Sequence, residues 1–216
     1  MAAAGIIQPS DSPWVSHGML VHKKDGSLRF CVNYRRLNYV TRKDSYPLPR
    51  IDDAHDSVAG STWFSALDLC SSYWQVPLSP SARPETAFTI GRGLWEFNVI
   101  PFGLCNSPAT FEELMEKVLQ PVPALACVVY LDDILVHASI YTAVVNNLCT
   151  VFEQITKANL CLNSAKCSLF HWQTSFLGHV VSKRGVSTDP AKVEAVEKWA
   201  SPTSTGEVRS FLGLAS

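Results

Sequence analysis

The feature that most constrains this chain is a pair of adjacent aspartates, Asp132 and Asp133, set between two short apolar runs. The runs are residues 127–130 and 134–136, and their β-branched side chains favour two strands that meet at the aspartates. A third aspartate, Asp68, interrupts another apolar run. Because a charge in an apolar setting is costly unless it is paired or bound to a metal ion, the fold must provide partners for these three carboxylates.

Two interpretations of the aspartates are open at this point. Adjacent carboxylates repel each other, and a divalent cation is a natural way to keep both ionised. Magnesium prefers a few carboxylates together with substrate phosphates. In the structural alternative, Asp132-Asp133 is an ordinary turn pair, and Asp68 caps an element or pairs with an arginine. Spacing alone favours the structural alternative.

Hydrophobic periodicity and turn signals predict an α+β chain in which hairpins and helices alternate. The predicted elements are hairpins at residues 18–33, 85–99 and 175–187, a strand at residues 63–69, and helices at residues 51–59, 148–160, 191–200 and from Ser107 onward. The sequence has no repeat and no Gly-rich phosphate loop within βαβ units. It therefore argues against a Rossmann or P-loop nucleotide site.

Composition indicates a folded protein. Apolar residues make up 47% of the 216 residues, which is enough for a packed interior. No apolar stretch approaches the roughly 18 residues of a membrane span, and the first residues lack the features of a secretory signal. We therefore expect a soluble intracellular protein with no membrane partner.

The seven cysteines are odd in number, scattered along the chain, and form no CxxC pair. This pattern favours reduced thiols that pack as small hydrophobic side chains over a disulfide framework. Cys161, Cys167 and His171 form the one group that suggests zinc, but their spacing is unusual and a fourth ligand is not obvious. Core packing is the favoured interpretation for them.

Positive charge is concentrated in one segment, although the formal net charge of the chain is only −1. Residues 22–50 contain eight lysines and arginines against two aspartates, a local charge of +6. A local basic lobe can attract phosphates even on a neutral protein. Taken alone, the segment fits a solvated charged face equally well.

An ordered set of sequence blocks resembles those of reverse transcriptases. Residues 130–133, Tyr-Leu-Asp-Asp, resemble the YxDD box, and residues 67–76, LDLCSSYWQV, resemble the LDLxSGYWQV block that supplies another metal-binding aspartate. Further blocks follow in the family's order at residues 23–32, 46–53, 101–111, 176–181 and 189–216. The set covers nearly the whole chain. The residues within the blocks are similar to those of gypsy-type LTR retrotransposons, which have retroviral-like Pol polyproteins.

The resemblance implies a right-hand polymerase fold with fingers, a palm built on an antiparallel sheet, and only the start of a thumb or connection. The implied divisions are residues 1–43 and 76–106 for the fingers, 44–75 and 107–186 for the palm, and 187–216 for the start of the thumb, where the chain looks truncated. Within the palm, residues 176–181 are similar to the primer-grip hairpin, with Leu177 and Gly178 as the primer-grip-like positions.

The resemblance also implies a metal site. Asp68, Asp132 and Asp133 would be the catalytic carboxylates that bind two Mg²⁺ ions, for which Mn²⁺ can substitute. Two such ions about 3.5–4 Å apart can activate a 3′-hydroxyl and stabilise the leaving pyrophosphate. The chemistry expected from the adjacent carboxylates and the family resemblance therefore agree.

By the same resemblance, five residues would bind the incoming nucleotide. Lys23 and Arg29 would hold the triphosphate, a task that suits a mobile ammonium and a forked guanidinium. Tyr73 would lie under the sugar and exclude a 2′-hydroxyl, with a core tyrosine as the structural alternative. Phe102 and Gly103 would line the nucleotide pocket.

The implied function is that of an RNA-directed DNA polymerase that extends a primer on an RNA or DNA template with deoxynucleoside triphosphates. Other partners would be the thumb, ribonuclease H and integrase of the parent Pol polyprotein, in a cytoplasmic particle or the nucleus, and any ribonuclease H activity would belong to that polyprotein. The alternative is a catalytically inactive, truncated remnant that retains only nucleic-acid binding. Departures from the family pattern at Asn33, Ser72 and residues 137–147 leave this alternative open, although none removes a proposed metal ligand.

Overall fold

The computed structural model describes residues 1–22, 26, 28–199 and 201–215. The strands are β1 (Ile7–Pro9), β2 (Ser16–His22), β3 (Leu28–Val32), β4 (Trp63–Asp68), β5 (Phe88–Thr89), β6 (Leu94–Phe97), β7 (Cys127–Tyr130), β8 (Asp133–Ala138), β9 (Ser168–His171), β10 (Gln173–Phe176), β11 (His179–Ser182) and β12 (Gly185–Thr188). The helices are α1 (Arg35–Val40), α2 (Ile51–Ser57), α3 (Ser107–Leu119), α4 (Tyr141–Lys157), α5 (Pro190–Glu197) and α6 (Thr205–Ala215). The predicted α+β class is confirmed.

The central sheet has the strand order β7-β8-β4-β9 and is antiparallel throughout. Strand β8 shows why its sequence is a continuous apolar run. Ile134 and Val136 belong to the core that contains helices α3 and α4, whereas Leu135 belongs to a second core on the other face. Because both faces of the sheet are covered, successive side chains of the strand are all buried.

Helices α3 and α4 form the larger core with this sheet. Their buried residues recur at spacings of three and four, as an amphipathic helix requires. They are Phe111, Met115 and Leu119 on α3, and Val144, Leu148, Val151 and Ile155 on α4. Burying one such side chain fully contributes about 1.5–3 kcal/mol, so these two stripes fix both helices on the sheet.

The second core joins helix α2 to the opposite face of the central sheet. Ala54 and Val58 pack with Phe64 of β4 and with Phe176 and Val181 of strands β10 and β11. Strands β10, β11 and β12 form their own three-stranded antiparallel sheet. The hairpin predicted at residues 175–187 is therefore present, but β10 extends it by a third strand.

The third sheet has the order β1-β6-β5-β2-β3 and contains two of the predicted hairpins, β2–β3 and β5–β6. Gly18 allows a close approach within it, because a Cβ at this position would lie 3.0 Å from the Phe30 ring. Tyr34 fixes one end by donating a hydrogen bond from its hydroxyl to the carbonyl of Thr86 at 2.8 Å. Burial of this hydroxyl raises the pKa of Tyr34.

Several element predictions need correction. The helix predicted at residues 148–160 begins at Tyr141, since Val144 continues the buried stripe toward the N-terminus. No side chain caps this helix start, so the sequence carries no start signal there. Strands β1 and β9 and helix α1 are too short to give a periodic pattern, and they were not predicted. The division into fingers, palm and thumb stays a prediction.

All seven cysteines are free thiols, as predicted. The prediction that they pack in the core was wrong for Cys70, Cys149 and Cys161, which are exposed, and the other four are only half-buried. Cys161, Cys167 and His171 belong to no metal-holding group of three or more such side chains in the part of the chain that the structure describes. In the same residues, no helix has the length and apolarity needed to cross a bilayer.

Candidate active site

The three predicted aspartates lie at one end of the central sheet. Asp68 is the last residue of β4, Asp133 is the first residue of β8, and the two are register partners. Asp132 lies in the connection between β7 and β8. The neighbouring register partners Leu67 and Ile134 are buried, so the sheet fixes the backbone that carries the acids.

The carboxylates interact electrostatically at this end of the sheet. Partial burial raises the pKa of Asp133, and the charges of Asp132 and Asp68 raise it further. The ammonium of Lys166 acts in the opposite direction. Like charges therefore oppose one another here, as adjacent carboxylates in an apolar setting should.

Lys166 is a site residue that the sequence analysis missed. Its Nζ donates hydrogen bonds to both carboxylate oxygens of Asp68, at 3.0 and 3.2 Å. The carboxylate of Asp68 raises the pKa of Lys166 in return. The backbone amide of Asn163 donates to the carbonyl of Asp68 at 2.8 Å, which holds the loop of Lys166 against β4. Nothing in the local sequence marks this lysine, because its position depends on the pairing of β4 with β9.

The donor chemistry of the carboxylate cluster suits a hard divalent cation. Mg²⁺ takes carboxylate and phosphate oxygens and usually keeps several waters, rather than a complete cage of protein ligands. Among the described residues, no three acidic, histidine or cysteine side chains converge into a group that could hold a metal ion, and this includes Asp68, Asp132 and Asp133. A cation at these carboxylates would have to take the rest of its coordination from a substrate and water.

A cavity of about 440 Å³ lies beside the carboxylates, with Asp132 and Lys166 in its lining. Arg29 of strand β3 and Phe102 also line it. The guanidinium carbon of Arg29 lies 5.6 Å from the centroid of the Phe102 ring, which is within the range of a cation–π contact. The cavity thus combines two cationic side chains with a carboxylate that is proposed to bind metal.

The Tyr73 ring contacts Phe102, although Tyr73 itself is not among the residues that line the cavity. Their ring centroids are 5.1 Å apart, and the Tyr73 ring also meets Phe111 at 5.4 Å. Tyr73 is half-buried against the larger core, so part of its surface serves packing, as in the structural alternative. Burial raises the pKa of Tyr73, and the negative charge of Asp132 raises it further. The Tyr73 hydroxyl therefore lies within electrostatic range of the acids.

Gly103 adopts a φ of 97°, which L side chains rarely adopt, and its carbonyl accepts a hydrogen bond from Asn38 Nδ2 at 2.8 Å. Leu177 and Gly178 form the β10–β11 turn and line a second cavity, of about 230 Å³, together with Asp133. The structure therefore brings the predicted primer-grip-like positions to the same end of the sheet as the acids. Lys23 lies outside the described residues.

Comparison with known proteins assigns a family to this arrangement. The family described as reverse transcriptase (RNA-dependent DNA polymerase) matches residues 21–181. The retrovirus-related Pol polyprotein from transposon opus of Drosophila melanogaster is 38% identical over 217 residues, 98% of this chain and 22% of that protein. The polyprotein from transposon gypsy of the same species is 35% identical over 218 residues, 98% of this chain and 21% of that protein. The chain spans about a fifth of the length of these relatives.

Solved structures share the fold. A foamy viral protease-reverse transcriptase in complex with double-stranded DNA has a TM-score of 0.92 at 23% identity, covering 99% of this chain and 37% of that chain. A complex of the foamy viral protein with an RNA/DNA hybrid has a TM-score of 0.89 at 23% identity, covering 97% of this chain and 28% of that chain. The likeness confirms the predicted fold class, the fingers and palm of a right-hand polymerase.

The family match extends over most of the chain and includes all three aspartates. The relatives named above are Pol polyproteins of transposons, in agreement with the resemblance of the sequence blocks to gypsy-type elements. The chain therefore belongs to the reverse transcriptase family.

Proposed function

We propose that this chain is an RNA-directed DNA polymerase domain that extends a primer on an RNA or DNA template by two-metal nucleotidyl transfer. The observation that carries the proposal is the register of Asp68 with Asp133, next to Asp132 and a cavity lined by Arg29 and Lys166. Phosphoryl transfer depends mainly on positioning and on neutralising the charge of the phosphate, and this arrangement offers both.

In this proposal Asp68, Asp132 and Asp133 hold the divalent cations. A bound Mg²⁺ or Mn²⁺ ion would supply two kinds of chemistry, activation of the primer 3′-hydroxyl and stabilisation of the leaving pyrophosphate. The protein's own contribution is the rigid sheet end that keeps three mutually repelling carboxylates together. Lys166 neutralises Asp68 within the protein, which lowers the cost of gathering these charges.

The nucleotide would bind in the cavity beside the acids. Arg29 would bind the triphosphate, since a guanidinium forms forked hydrogen bonds with phosphate oxygens and the Phe102 face orients it. Lys23 is proposed for the same role from the family resemblance. Tyr73 would exclude a 2′-hydroxyl, and its contacts with Phe102 and Phe111 support a rigid ring at this position. Gly103 is proposed for this pocket from the family resemblance alone, because a Cβ at this position would face Val32 and Tyr34.

The template and primer would lie along the same end of the sheet. Leu177 and Gly178 would hold the primer terminus, which is supported by the cavity they share with Asp133. The basic segment at residues 22–50 would contact phosphates. Complexes of the foamy viral proteins with double-stranded DNA and with an RNA/DNA hybrid support these partners. The predicted divisions into fingers, palm and the start of the thumb, within a longer Pol polyprotein, belong to the same proposal.

Two observations favour the alternative of an inactive nucleic-acid-binding remnant. Lys166 occupies both oxygens of Asp68, and a residue that binds metal must release such a partner. The second observation concerns Ser72, which stands where the reverse transcriptase block has glycine. Its hydroxyl is buried beside Tyr73 and has no hydrogen-bond partner among the described side chains and backbone groups. Catalysis and binding therefore need separate measurements.

The decisive experiment is primer extension by the purified 216-residue chain on poly(rA) primed with oligo(dT), with Mg²⁺ or Mn²⁺. We expect incorporation of deoxythymidine by the wild type, and its loss in Asp132→Ala. The exposed Asp11→Ala is the matched control, which should incorporate as the wild type does. A folded wild type that binds the duplex but incorporates nothing with either metal would leave only the binding remnant.

A further inference from the structure

The turn that joins β7 to β8 has an unusual backbone. Tyr130 and Asp133 are register partners, so Leu131 and Asp132 alone form the connection. Leu131 has a φ of 56°, in the left-handed region that is unfavourable for residues other than glycine, asparagine and aspartate. Because Asp132 follows directly, the conformation of Leu131 sets the direction in which the acids leave the turn.

A side chain from outside the hairpin holds this turn. Glu112 of helix α3 accepts a hydrogen bond at Oε2 from the backbone amide of Leu131, with a separation of 2.6 Å between the two atoms. A short bond is expected when a carboxylate accepts from a backbone amide. A backbone conformation that is unfavourable by itself persists only where its surroundings enforce it, and this bond supplies such enforcement.

Glu112 is enclosed by the core, and its Oε1 has no hydrogen-bond partner among the described residues. Its side chain is 0% exposed, and its helix neighbours Phe111 and Met115 are buried in the larger core. A carboxyl group in this setting costs stability unless it has a partner, so packing alone does not explain a glutamate here. Burial raises the pKa of Glu112, whereas the hydrogen bond from Leu131 lowers it by favouring the ionised form.

We propose that Glu112 is a positioning residue that fixes the left-handed turn at Leu131 and thereby orients Asp132 and Asp133. The effect on catalysis rests on the proposed function, because it requires that these aspartates bind the cations. The anchor itself is a property of the fold. A purely structural glutamate would contribute to the stability of the chain without a specific effect on the turn.

Two substitutions separate the loss of the anchor from the loss of packing. Glu112→Gln keeps an oxygen that accepts from the Leu131 amide, whereas Glu112→Met keeps the volume and removes the acceptor. The matched control is Glu113→Gln, at the adjacent position on the same helix, where the side chain is 40% exposed.

The first readout is Mn²⁺ binding by the full chain without nucleic acid, measured by electron paramagnetic resonance. We expect Glu112→Met to bind Mn²⁺ at least about tenfold more weakly than the wild type, since it removes a hydrogen bond to a charged group. Glu112→Gln and Glu113→Gln should stay within about threefold. In primer extension, Glu112→Met should lower kcat with little change in the KM for the nucleotide.

A rescue experiment distinguishes positioning from a general effect on stability. Glycine adopts a positive φ without an anchor, so Leu131→Gly in the Glu112→Met background should restore most of the Mn²⁺ affinity. Wild-type Mn²⁺ affinity in a folded Glu112→Met variant would overturn the proposal. So would a double variant that binds as weakly as Glu112→Met.

Amide hydrogen exchange at Leu131 keeps the anchor testable if Glu112→Met does not fold. The Leu131 amide should be protected in the wild type and in Glu112→Gln, and rapid exchange of this amide in the wild type would overturn the proposal. If the wild type binds no Mn²⁺, the proposed metal site fails, and the exchange rates at Leu131 alone then decide whether Glu112 is an anchor.

Discussion

Lys166 donates hydrogen bonds to both carboxylate oxygens of Asp68 across 98 residues of sequence. The contact exists because β9 pairs with β4, which brings the loop before β9 next to the end of β4. An ammonium of the protein therefore neutralises one of the three carboxylates proposed to bind metal. The same side chain lines the cavity that also contains Arg29 and Asp132.

Lys166→Met should tighten Mn²⁺ binding at the carboxylates, because it removes an ammonium that competes for Asp68. Since the Lys166 side chain is 63% exposed, water screens this ion pair, and we expect a change of only about two- to fivefold. Mn²⁺ titration by electron paramagnetic resonance measures the effect. Lys157→Met removes a more exposed ion pair, with Glu153, and serves as the control. Weaker binding by Lys166→Met would contradict the competition.

Residues that stand out in their local sequence could be predicted. Residues that approach the site only through tertiary contacts were missed. Asp68, Asp132 and Asp133 stand out because each interrupts an apolar run. Lys166 has no such signal, since its contact with Asp68 depends on the register of two strands far apart in the chain. The hydrogen bond from Leu131 to Glu112 is hidden for the same reason, because it joins a helix to a turn formed later in the sequence.

The fold shows the same division. The β5–β6 hairpin was predicted because Gly91 and Gly93 mark its turn, and both adopt a positive φ. Strand β9, in contrast, is held by a bulged pairing with Phe64 and Ala66 rather than by its own alternation. The positive φ of Leu131 could not be predicted either, since leucine is a poor residue for that conformation and a distant partner enforces it.

Met115→Ala tests the core that supports the acids. The Met115 side chain is fully buried against the central sheet, so its truncation should lower the free energy of unfolding by about 2–5 kcal/mol. Urea denaturation of the full chain measures this change. Leu125→Ala is the control, because Leu125 is 80% exposed and its truncation should cost less than about 0.5 kcal/mol. Equal effects of the two substitutions would contradict the assignment of the core.

Tyr73→Ala should relax the selection against ribonucleotides. The ring is fixed by its contacts with Phe102 and Phe111, so its removal opens the space proposed to exclude a 2′-hydroxyl. We expect kcat/KM for ribonucleotides relative to deoxynucleotides to rise at least about tenfold, which corresponds to ~1.4 kcal/mol of discrimination. Tyr73→Phe keeps the ring and should keep the wild-type ratio. An unchanged ratio in Tyr73→Ala would leave Tyr73 as a core residue only.

His137 gives the fold a dependence on pH that is separate from the proposed site. The side chain is 2% exposed, and its Nδ1 lies 2.8 Å from Ser61 Oγ. Burial lowers the pKa of His137 from its ordinary value of 6.5, because the charged imidazolium is poorly solvated there. The unfolded chain therefore takes up a proton at this histidine at a higher pH than the folded chain does.

The stabilisation contributed by neutral His137 should be complete above about pH 6.5 and should decrease as the pH falls below it, by at most about 1.4 kcal/mol per pH unit. His137→Asn keeps a polar partner for Ser61 but does not titrate in this range. The difference in free energy of unfolding between the wild type and His137→Asn should therefore shrink between pH 7.5 and pH 5. Urea denaturation at each pH measures this difference.

Asp133 and Glu112, whose pKa values are raised, are present in both proteins, so their titration cancels in the difference. A difference that is constant across this range would show that His137 is not held neutral by burial.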